Sequence, residues 1–562
     1  MKKTGTYKSL AILIVGLILL NVLAANFFTR FDLTQDNRYT LSTASKNIIE
    51  DIEKTVIIDV FLQGNFPPEF RRLRNETSQL LEEFAAYNSN IRVNFINPIE
   101  EGQDANAVAQ EFLQMGMTPA RVSVQESGKT SEEIIFPWAI ANYEDKTVKI
   151  PLLKNTLGAT DEDRVTNSVQ QLEYAFANGL DKLIYPKEKK IAVMRGNGEL
   201  PDANLADFLQ TLQEYYYIAP FTLDSAAQNP QKTLQKLNEF DLILEAKPTE
   251  PFTENEKFVL DQYKMNGGKS IWLVESVAME TDSLLNQSGT TYALPRDLNL
   301  GDLFFSYGIR INPVLINDLY SAPITLASGS GNNTRFNPYP WFYSPLSSSP
   351  NDHPIINNIE AVKFEYANQI DTLANDIEKT ILLSSSPRTK VEGTPLQISL
   401  EMVSQKPQIS TYTDGEQPLA VLLKGNFTSA YKNRIKPFEI PNPLDESAAT
   451  KMLVISDGDV IKNDLQRGAP LELGFERYTG STYGNKEFLL NAVNYMLDDN
   501  GLIEIRTEEI SIPFLDPERT AEEREKWQLT NLVVPLLILG IFAFLFTFFR
   551  RRKYVKRSRA AK

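Results

Sequence analysis

The residues best suited by type to chemistry lie in five short stretches. Arg195-Gly196-Asn197-Gly198-Glu199 follows an apolar run and precedes a helical pattern, the setting in which a glycine turn offers free backbone N–H groups to a phosphate. It is only G-x-G, with no third glycine, so a tight turn requiring positive φ is the competing reading. Asp457-Gly458-Asp459, with Asn463 and Asp464 close behind, clusters carboxylates after another apolar run. Such a cluster suits a divalent cation, and suits equally an acidic turn that caps the next helix. Gly267-Gly268-Lys269-Ser270 and Gly128-Lys129-Thr130 mimic the end of a P-loop, but Tyr263 and Ser123 stand where its first glycine belongs. In the former a helix precedes and a strand follows, the reverse of the required order, so Gly267 and Gly268 read as helix-ending residues. The fifth stretch is Asn337-Pro338-Tyr339-Pro340-Trp341-Phe342-Tyr343, whose rigid aromatics suit a partner contact or their own domain's packing.

Several chemistries are excluded by composition. The chain has 562 residues, no cysteine and one histidine, His353. Thiolate nucleophiles, disulfides and cysteine- or histidine-based zinc sites are therefore out of reach. A serine triad would have to use His353, which lies in a Pro-flanked loop, and the sequence has no G-x-S-x-G.

The elements that would position these residues begin and end in apolar runs. Leu10 to Phe28 and Asn531 to Phe549 each carry no charge. At ~1.5 Å rise per residue either is long enough for a ~30 Å hydrocarbon core. Lys2, Lys3 and Lys8 precede the first; Arg550, Arg551, Arg552, Lys553, Lys556, Arg557, Arg559 and Lys562 follow the second. The positive-inside rule then places both termini in the cytoplasm and the intervening chain across the membrane. Trp527 and Tyr554 flank the second run as interfacial aromatics. A cleaved signal peptide is the alternative for the first, but Asn21 to Asn26 offers no clean Ala-x-Ala site. Removing those eleven basic residues from the 57 Lys and Arg leaves 46 against 72 Asp and Glu, a net of −26 for the outer body. That balance disfavours nucleic acid and anionic lipid headgroups as its partners.

Within the body the pattern is α/β. After a polar and aromatic neck, Ser42 reads as an N-cap for a helix over Thr43 to Glu53. Strand Val56 to Leu62, helix Phe70 to Asn88 and strand Ile91 to Ile96 make a βαβ unit and hence a parallel pair. Helix Asn106 to Met115, an antiparallel meander over 121–150 and a helix over Asp161 to Asn178 complete a first domain, 29–185. Pro186 to Lys190 reads as a linker. Strand and helix then alternate from Ile191 to Glu275 and again from Met452 to Leu497, predicting a second domain over 186–510 built on a doubly wound sheet. The Asn-, Ser-, Pro- and Gly-rich stretch at about 280–450 reads as an insertion into that sheet, with Gly329 to Asn333 as a loop. The remaining assignments are a cytoplasmic N-terminus (1–9), a first transmembrane helix (10–28), a juxtamembrane segment (511–528), a second transmembrane helix (529–549) and a basic cytoplasmic tail (550–562).

Several stretches in this order resemble one family: Phe31-Asp32-Leu33-Thr34 with Arg38-Tyr39-Thr40-Leu41-Ser42, Gly196-Asn197-Gly198-Glu199, Leu260-Asp261-Gln262-Tyr263 running into Gly267-Gly268-Lys269, Pro340-Trp341 with His353-Pro354-Ile355, and Val454-Ile455-Ser456-Asp457-Gly458-Asp459 with Gly484-Asn485-Lys486. The sequence is similar to the GldG family of gliding-motility-associated ABC-transporter auxiliary subunits of Bacteroidetes. Members often carry histidine where this chain has Asn197, a departure that argues against a catalytic turn. The resemblance implies an amidotransferase-like fold for the large domain, as also found in intraflagellar-transport proteins. It further implies a periplasmic body on the bacterial inner membrane, a separate multi-span permease (GldF-like) and a cytoplasmic ATPase (GldA-like). It brings no catalytic residue, no cofactor and no metal. Contacts with a ligand or partner are expected at Gly196, Asn197, Gly198, Glu199, Trp341, Asp457 and Asp459. Two further readings stand beside a non-catalytic transporter subunit: an anchored envelope enzyme using the carboxylates near Asp457, and a structural scaffold of motility or secretion machinery.

Overall fold

The computed structural model describes residues 13–17, 40–64, 66–99, 102–126, 129–154, 158–329, 333–347, 349–498, 500–507, 519 and 523–559. Residues 1–509 form one compact unit and 510–562 another.

The first unit opens where the N-cap was expected. Ser42 Oγ accepts the Ser45 N–H at 3.1 Å and starts helix α1 (Thr43–Glu50). Strand β1 (Val56–Val60), helix α2 (Pro68–Tyr87, with proline in its first turn) and strand β2 (Ile91–Phe95) form the βαβ unit, with Val56 paired in parallel to Ile91. The meander divides. Ala120–Glu126 and Lys129–Ile135 make a hairpin of their own, while β3 (Trp138–Tyr143) and β4 (Lys146–Pro151) join the sheet in the order β2-β1-β3-β4. The single helix expected over Asp161 to Asn178 is instead two, Asp161–Val169 and α3 (Leu172–Ile184), broken at Gln170 and Gln171. Thr160 and Asp163 cap the first of them reciprocally. One face of the small sheet (Val56, Ile58, Val60, Ala139, Ala141) packs on Leu73, Phe84, Phe176 and Leu180 from α2 and α3.

The large sheet has seven strands. They are β5 (Lys190–Arg195), β6 (Tyr217–Thr222), β7 (Leu242–Ala246), β8 (Lys269–Leu273), β9 (Glu378–Ser384), β10 (Pro418–Thr428) and β11 (Glu446–Ile455), in the order β9-β10-β11-β8-β7-β5-β6. From β11 to β6 every pairing is parallel. β10 and β9 extend the sheet antiparallel beyond β11. Successive residues feed opposite layers, as a strand requires. Ile191, Leu244, Leu273 and Leu453 pack with Phe208 of α4 (Asp202–Gln213) and Phe488 of α6 (Asn485–Leu497), while Met194, Ile243, Trp272 and Val454 pack with Phe258 and Tyr263 of α5 (Glu254–Met265). Helices thus cover both faces.

The stretch 280–450 is not wholly an insertion. Its two later strands, β9 and β10, are edge members of the main sheet, and only the part between β8 and β9, with short strands between β9 and β10, stands apart in small sheets. The apolar runs Ile381 to Ser384 and Leu419 to Leu423 read as strands from sequence, but antiparallel strands lie outside the βα rhythm of the doubly wound sheet, so their place in it was not legible.

In the second unit helix α7 runs without a break from Arg524 to Arg559, through Pro535, and its stretch Arg524–Arg552 is long and apolar enough to cross a membrane. Of the first apolar run only residues 13–17 are described, as helix; the rest of that run, the neck before Thr40 and most of 511–522 lie outside the described residues.

Candidate functional site

In a doubly wound sheet a ligand site is expected at the carboxyl ends of the strands, where the strand order reverses. Here the reversal falls between β5 and β7, and the loops leaving β5, β7, β8 and β11 carry the glycine turn, Lys247, Glu275 and Asp457 in turn.

The glycine turn binds its own side chain. Gly196 and Gly198 have φ of +115° and +75°. The Asn197 N–H, the donor a phosphate would seek, instead reaches both Glu199 carboxylate oxygens at 3.1 and 3.0 Å. The Asn197 carbonyl accepts the N–H groups of Thr249 and Glu250, both at 2.9 Å, and Thr249 Oγ1 donates to the Gly198 carbonyl at 2.9 Å. A Cβ on Gly198 would stand 2.2 Å from Thr249 Oγ1. The cradle is therefore occupied by Glu199 and closed by the loop after β7.

Glu245 on β7 is fully buried, and neither of its oxygens has a hydrogen-bond donor within reach. Burial, then the neighbouring Glu199 charge, push its carboxyl well above the ordinary range, with Arg195 opposing weakly.

The carboxylate cluster is neutralised from within. Glu275, Asp457 and Asp459 bring ligand atoms within 4.8 Å of one another, a spacing compatible with a cation. The Lys247 ammonium pairs with two of these three carboxylates, and with Glu280 beside them. It lies 2.7 Å from Asp459 Oδ2, 2.7 Å from Glu280 Oε1 and 3.2 Å from Glu275 Oε1, with its side chain only 3% exposed. Lys247 itself has a φ of +57°, uncommon for a residue with a Cβ, and packs against Gly458, whose Cβ would lie 2.3 Å from Lys247 Cγ. The three surrounding carboxylates outweigh burial and hold the ammonium above its ordinary range. Glu275 takes a second cation, Arg296 at 2.8 Å. Burial lifts the Glu275 carboxyl against the opposing pull of Lys247, and the Asp459 charge adds to the lift. Asp457 serves the backbone: Oδ1 accepts the Asp459 N–H at 2.7 Å and Oδ2 accepts the Glu365 N–H. Burial first, then Asp459 and Glu275, raise its carboxyl well above the usual range. Lys462 closes the outer side, 3.2 Å from Asp459.

Of the residues singled out from sequence, Gly196, Asn197, Gly198 and Glu199 sit together at the end of β5, and Asp457 and Asp459 together at the end of β11. Trp341 is elsewhere: it is 3% exposed, in a T-shaped contact with Tyr343 and packed in the core of the small sheets between β8 and β9. Buried there, it presents no surface to a partner. His353 is a loop residue whose Nδ1 accepts the Ile355 N–H at 3.3 Å beside the Tyr495 ring. Gly267 and Gly268 end α5, donating to the carbonyls of Lys264 and Tyr263, as a helix stop requires. Lys247 and Glu275 carry the electrostatics of this edge but were not singled out. Their signal was a charged residue terminating an otherwise apolar strand, in Leu242-Ile243-Leu244-Glu245-Ala246-Lys247 and Ile271-Trp272-Leu273-Val274-Glu275.

Comparison with known proteins adds what geometry alone does not give. Residues 35–142 match a domain of unknown function, DUF7088. An uncharacterized protein of Borreliella burgdorferi (strain ATCC 35210) is 22% identical over 97% of both chains. Among solved structures, the mmIFT52 N-terminal domain (13% identity, 55% of this chain, 98% of that one, TM-score 0.32) and the cytoplasmic protein STM3548 of Salmonella typhimurium (11% identity, 55% and 99%, TM-score 0.27) show only a remote likeness. At such scores neither bears on the fold or the role. The decisive match is to the family described as an ABC-type uncharacterized transport system, over residues 188–492, which contain the large sheet and every residue of the edge described above. With more than half of its length matched, this chain belongs to that family of ABC-transport auxiliary proteins.

Proposed function

We propose that the chain is a non-catalytic, membrane-anchored subunit of an ABC transport complex, its body outside the cytoplasm and both termini inside. The observation that carries this reading is the family match over 188–492, combined with an apolar helix followed by a run of basic residues. The state of the sheet edge supports the absence of catalysis. The glycine turn holds Glu199, the carboxylates hold Lys247, and Asp457 holds two backbone amides, so the groups that a substrate or cation would engage already engage one another. The partners are a separate multi-span permease and a cytoplasmic P-loop ATPase, since this sequence carries no complete phosphate-binding motif and two spans are too few for a pore. A GldG-like role in gliding motility at the bacterial inner membrane, with GldF-like and GldA-like partners, is the finer form of the proposal and rests on the resemblance of the short motifs.

Purification of the tagged full-length protein in mild detergent, with mass spectrometry of what accompanies it, tests this reading. A multi-span permease and an ATPase in fixed proportion, lost when 529–549 is replaced by an unrelated span, are the expected result. A chain that purifies alone under every gentle condition would overturn it.

A further inference from the structure

Leu502–Thr507 is the last described segment before the stretch that leads to α7, and it is built into both halves of the first unit. Its apolar side belongs to the small sheet: Ile505 is buried in the core of α1, α2 and α3, and Leu502 packs against the same cluster. Its polar side belongs to the large sheet. Arg506, 3% exposed, donates through Nη2 to Glu487 Oε1 on α6 at 2.8 Å and to the Asn357 carbonyl at 3.0 Å. The Arg506 guanidinium also lies over the ring of Tyr174 on α3, 5.1 Å from its centroid. Lys154, on the small-sheet side, reaches the same Glu487 carboxylate at 3.2 Å. One anion from the large region is thus shared by two cations from outside it.

Further contacts across the seam among the described residues are polar. Gln171 reaches the Asn358 carbonyl at 3.4 Å, Asn358 donates to the Asn167 carbonyl at 3.2 Å, and Asn178 donates to the Tyr215 hydroxyl at 3.0 Å. Lys182 pairs with Glu214 at 2.9 Å and lies over the Tyr215 ring at 3.9 Å. Apart from Lys182, whose side chain is only 12% exposed, these are exposed or half-buried polar contacts, which individually hold little. The Glu487–Arg506 pair is of another kind: the Arg506 side chain is 3% exposed against 29% for Glu487, so removing Glu487 leaves a desolvated cation behind, while removing Arg506 leaves Glu487 with Lys154 alone.

We propose that Leu502–Thr507 is a clasp that holds the small-sheet and large-sheet regions together, with Arg506 as its pin. The segment through which the chain leaves for α7 is then the one that sets how the two regions are held. The clasp is independent of which partners the protein has.

Double electron–electron resonance on the full-length protein tests this, and the cysteine-free sequence needs no background removal. Labels at Gln79→Cys on α2 and Gln235→Cys in the large region, both exposed, report across the seam. A second pair, Gln235→Cys and the exposed Ala374→Cys, reports within the large region alone. Arg506→Met is expected to broaden the first distance distribution about twofold, with Glu487→Gln doing nearly as much and Arg506→Lys less. The second distribution stays unchanged in all three. An unchanged first distribution in Arg506→Met would overturn the proposal. So would equal broadening of both pairs, which would make Arg506 part of the large region's own fold.

Discussion

The two sheets of the first unit are stabilised by different physics. Around the small sheet the buried polar side chains among the described residues are the hydroxyls of Ser42, Ser45, Thr77 and Ser168, with Arg506 at the seam, and the core cluster itself is hydrocarbon. The large region buries Glu245, Lys247, Lys257, Asp261, Lys264, Glu275, Asp318 and Asp457. Most of these are paired or hydrogen-bonded: Asp261 alone accepts from Ser429, Ala430, Gln262 and Tyr307. A small hydrocarbon core tolerates only apolar exchange, whereas a large polar one fixes loop positions through charge. The loops after β5, β7, β8 and β11 are tied by buried hydrogen bonds and ion pairs, and their stability should respond to pH and to single-charge changes.

The sharpest test of that contrast is Lys247→Met. It keeps the stem and removes the cation among Glu275, Glu280 and Asp459, and is expected to cost about 3–5 kcal/mol in urea unfolding, because uncompensated buried carboxylates remain. A loss below about 1 kcal/mol would mean that the edge is not held by charge. Phe84→Ala in the small core should cost a comparable ~3–5 kcal/mol from the lost packing and cavity, but that cost should not depend on pH between about 5 and 8. A pH-dependent Phe84→Ala effect would erase the distinction between the regions.

Gly198→Ala comes next. The φ of +75° and the close approach to Thr249 together predict about 2 kcal/mol, of which Thr249→Ala in the same chain recovers the steric part only. Full recovery would show that the backbone conformation is not required.

Glu245→Gln has a smaller effect, whose sign reverses the usual expectation for losing a charge. The folded pKa of Glu245 lies above its unfolded value near 4.5, so the native state binds the extra proton. Its contribution is complete below that unfolded value and is lost as pH rises toward the folded one. The glutamine variant is free of this loss, and should gain on the parent protein progressively as pH is raised above that unfolded value. A pH-independent difference would place a charge on Glu245.

The smallest effect is at His353. Burial first, then the Lys451 and Lys424 charges, lower its pKa to about 4 from 6.5. What it contributes is present above 6.5 and lost as pH falls through 4. As the only imidazole in the chain it can be followed by carbon-13 labelling of histidine, and a midpoint near 6.5 would contradict its burial against Tyr495.

Much of this architecture could be read from residues. The βαβ unit followed from Val56 to Ile96 because its apolar positions switch cleanly from period two to period 3.6 and back. The glycine turn was placed correctly at a strand end, and Gly267-Gly268 correctly as a helix stop. What the sequence withheld was partnership. Nothing near Asp457 indicates that Lys247, more than two hundred positions earlier, pairs with the carboxylates there, because parallel strands bring distant loops to one edge. Of the two readings of the aromatic run around Trp341, packing within its own domain is the one found: Arg335–Ser347 is a long strand whose alternation turns Trp341 and Tyr343 inward.

Closure of the sheet edge by its own charges requires that Glu275, Asp457 and Asp459 take up no divalent cation. Titration of the full-length protein with Mn2+, followed by electron paramagnetic resonance, tests this. No saturable site is expected in the native protein at sub-millimolar metal, in either the parent chain or Asp459→Asn. A stoichiometric site in the parent that is lost in Asp459→Asn would contradict it and bring the anchored-enzyme reading forward.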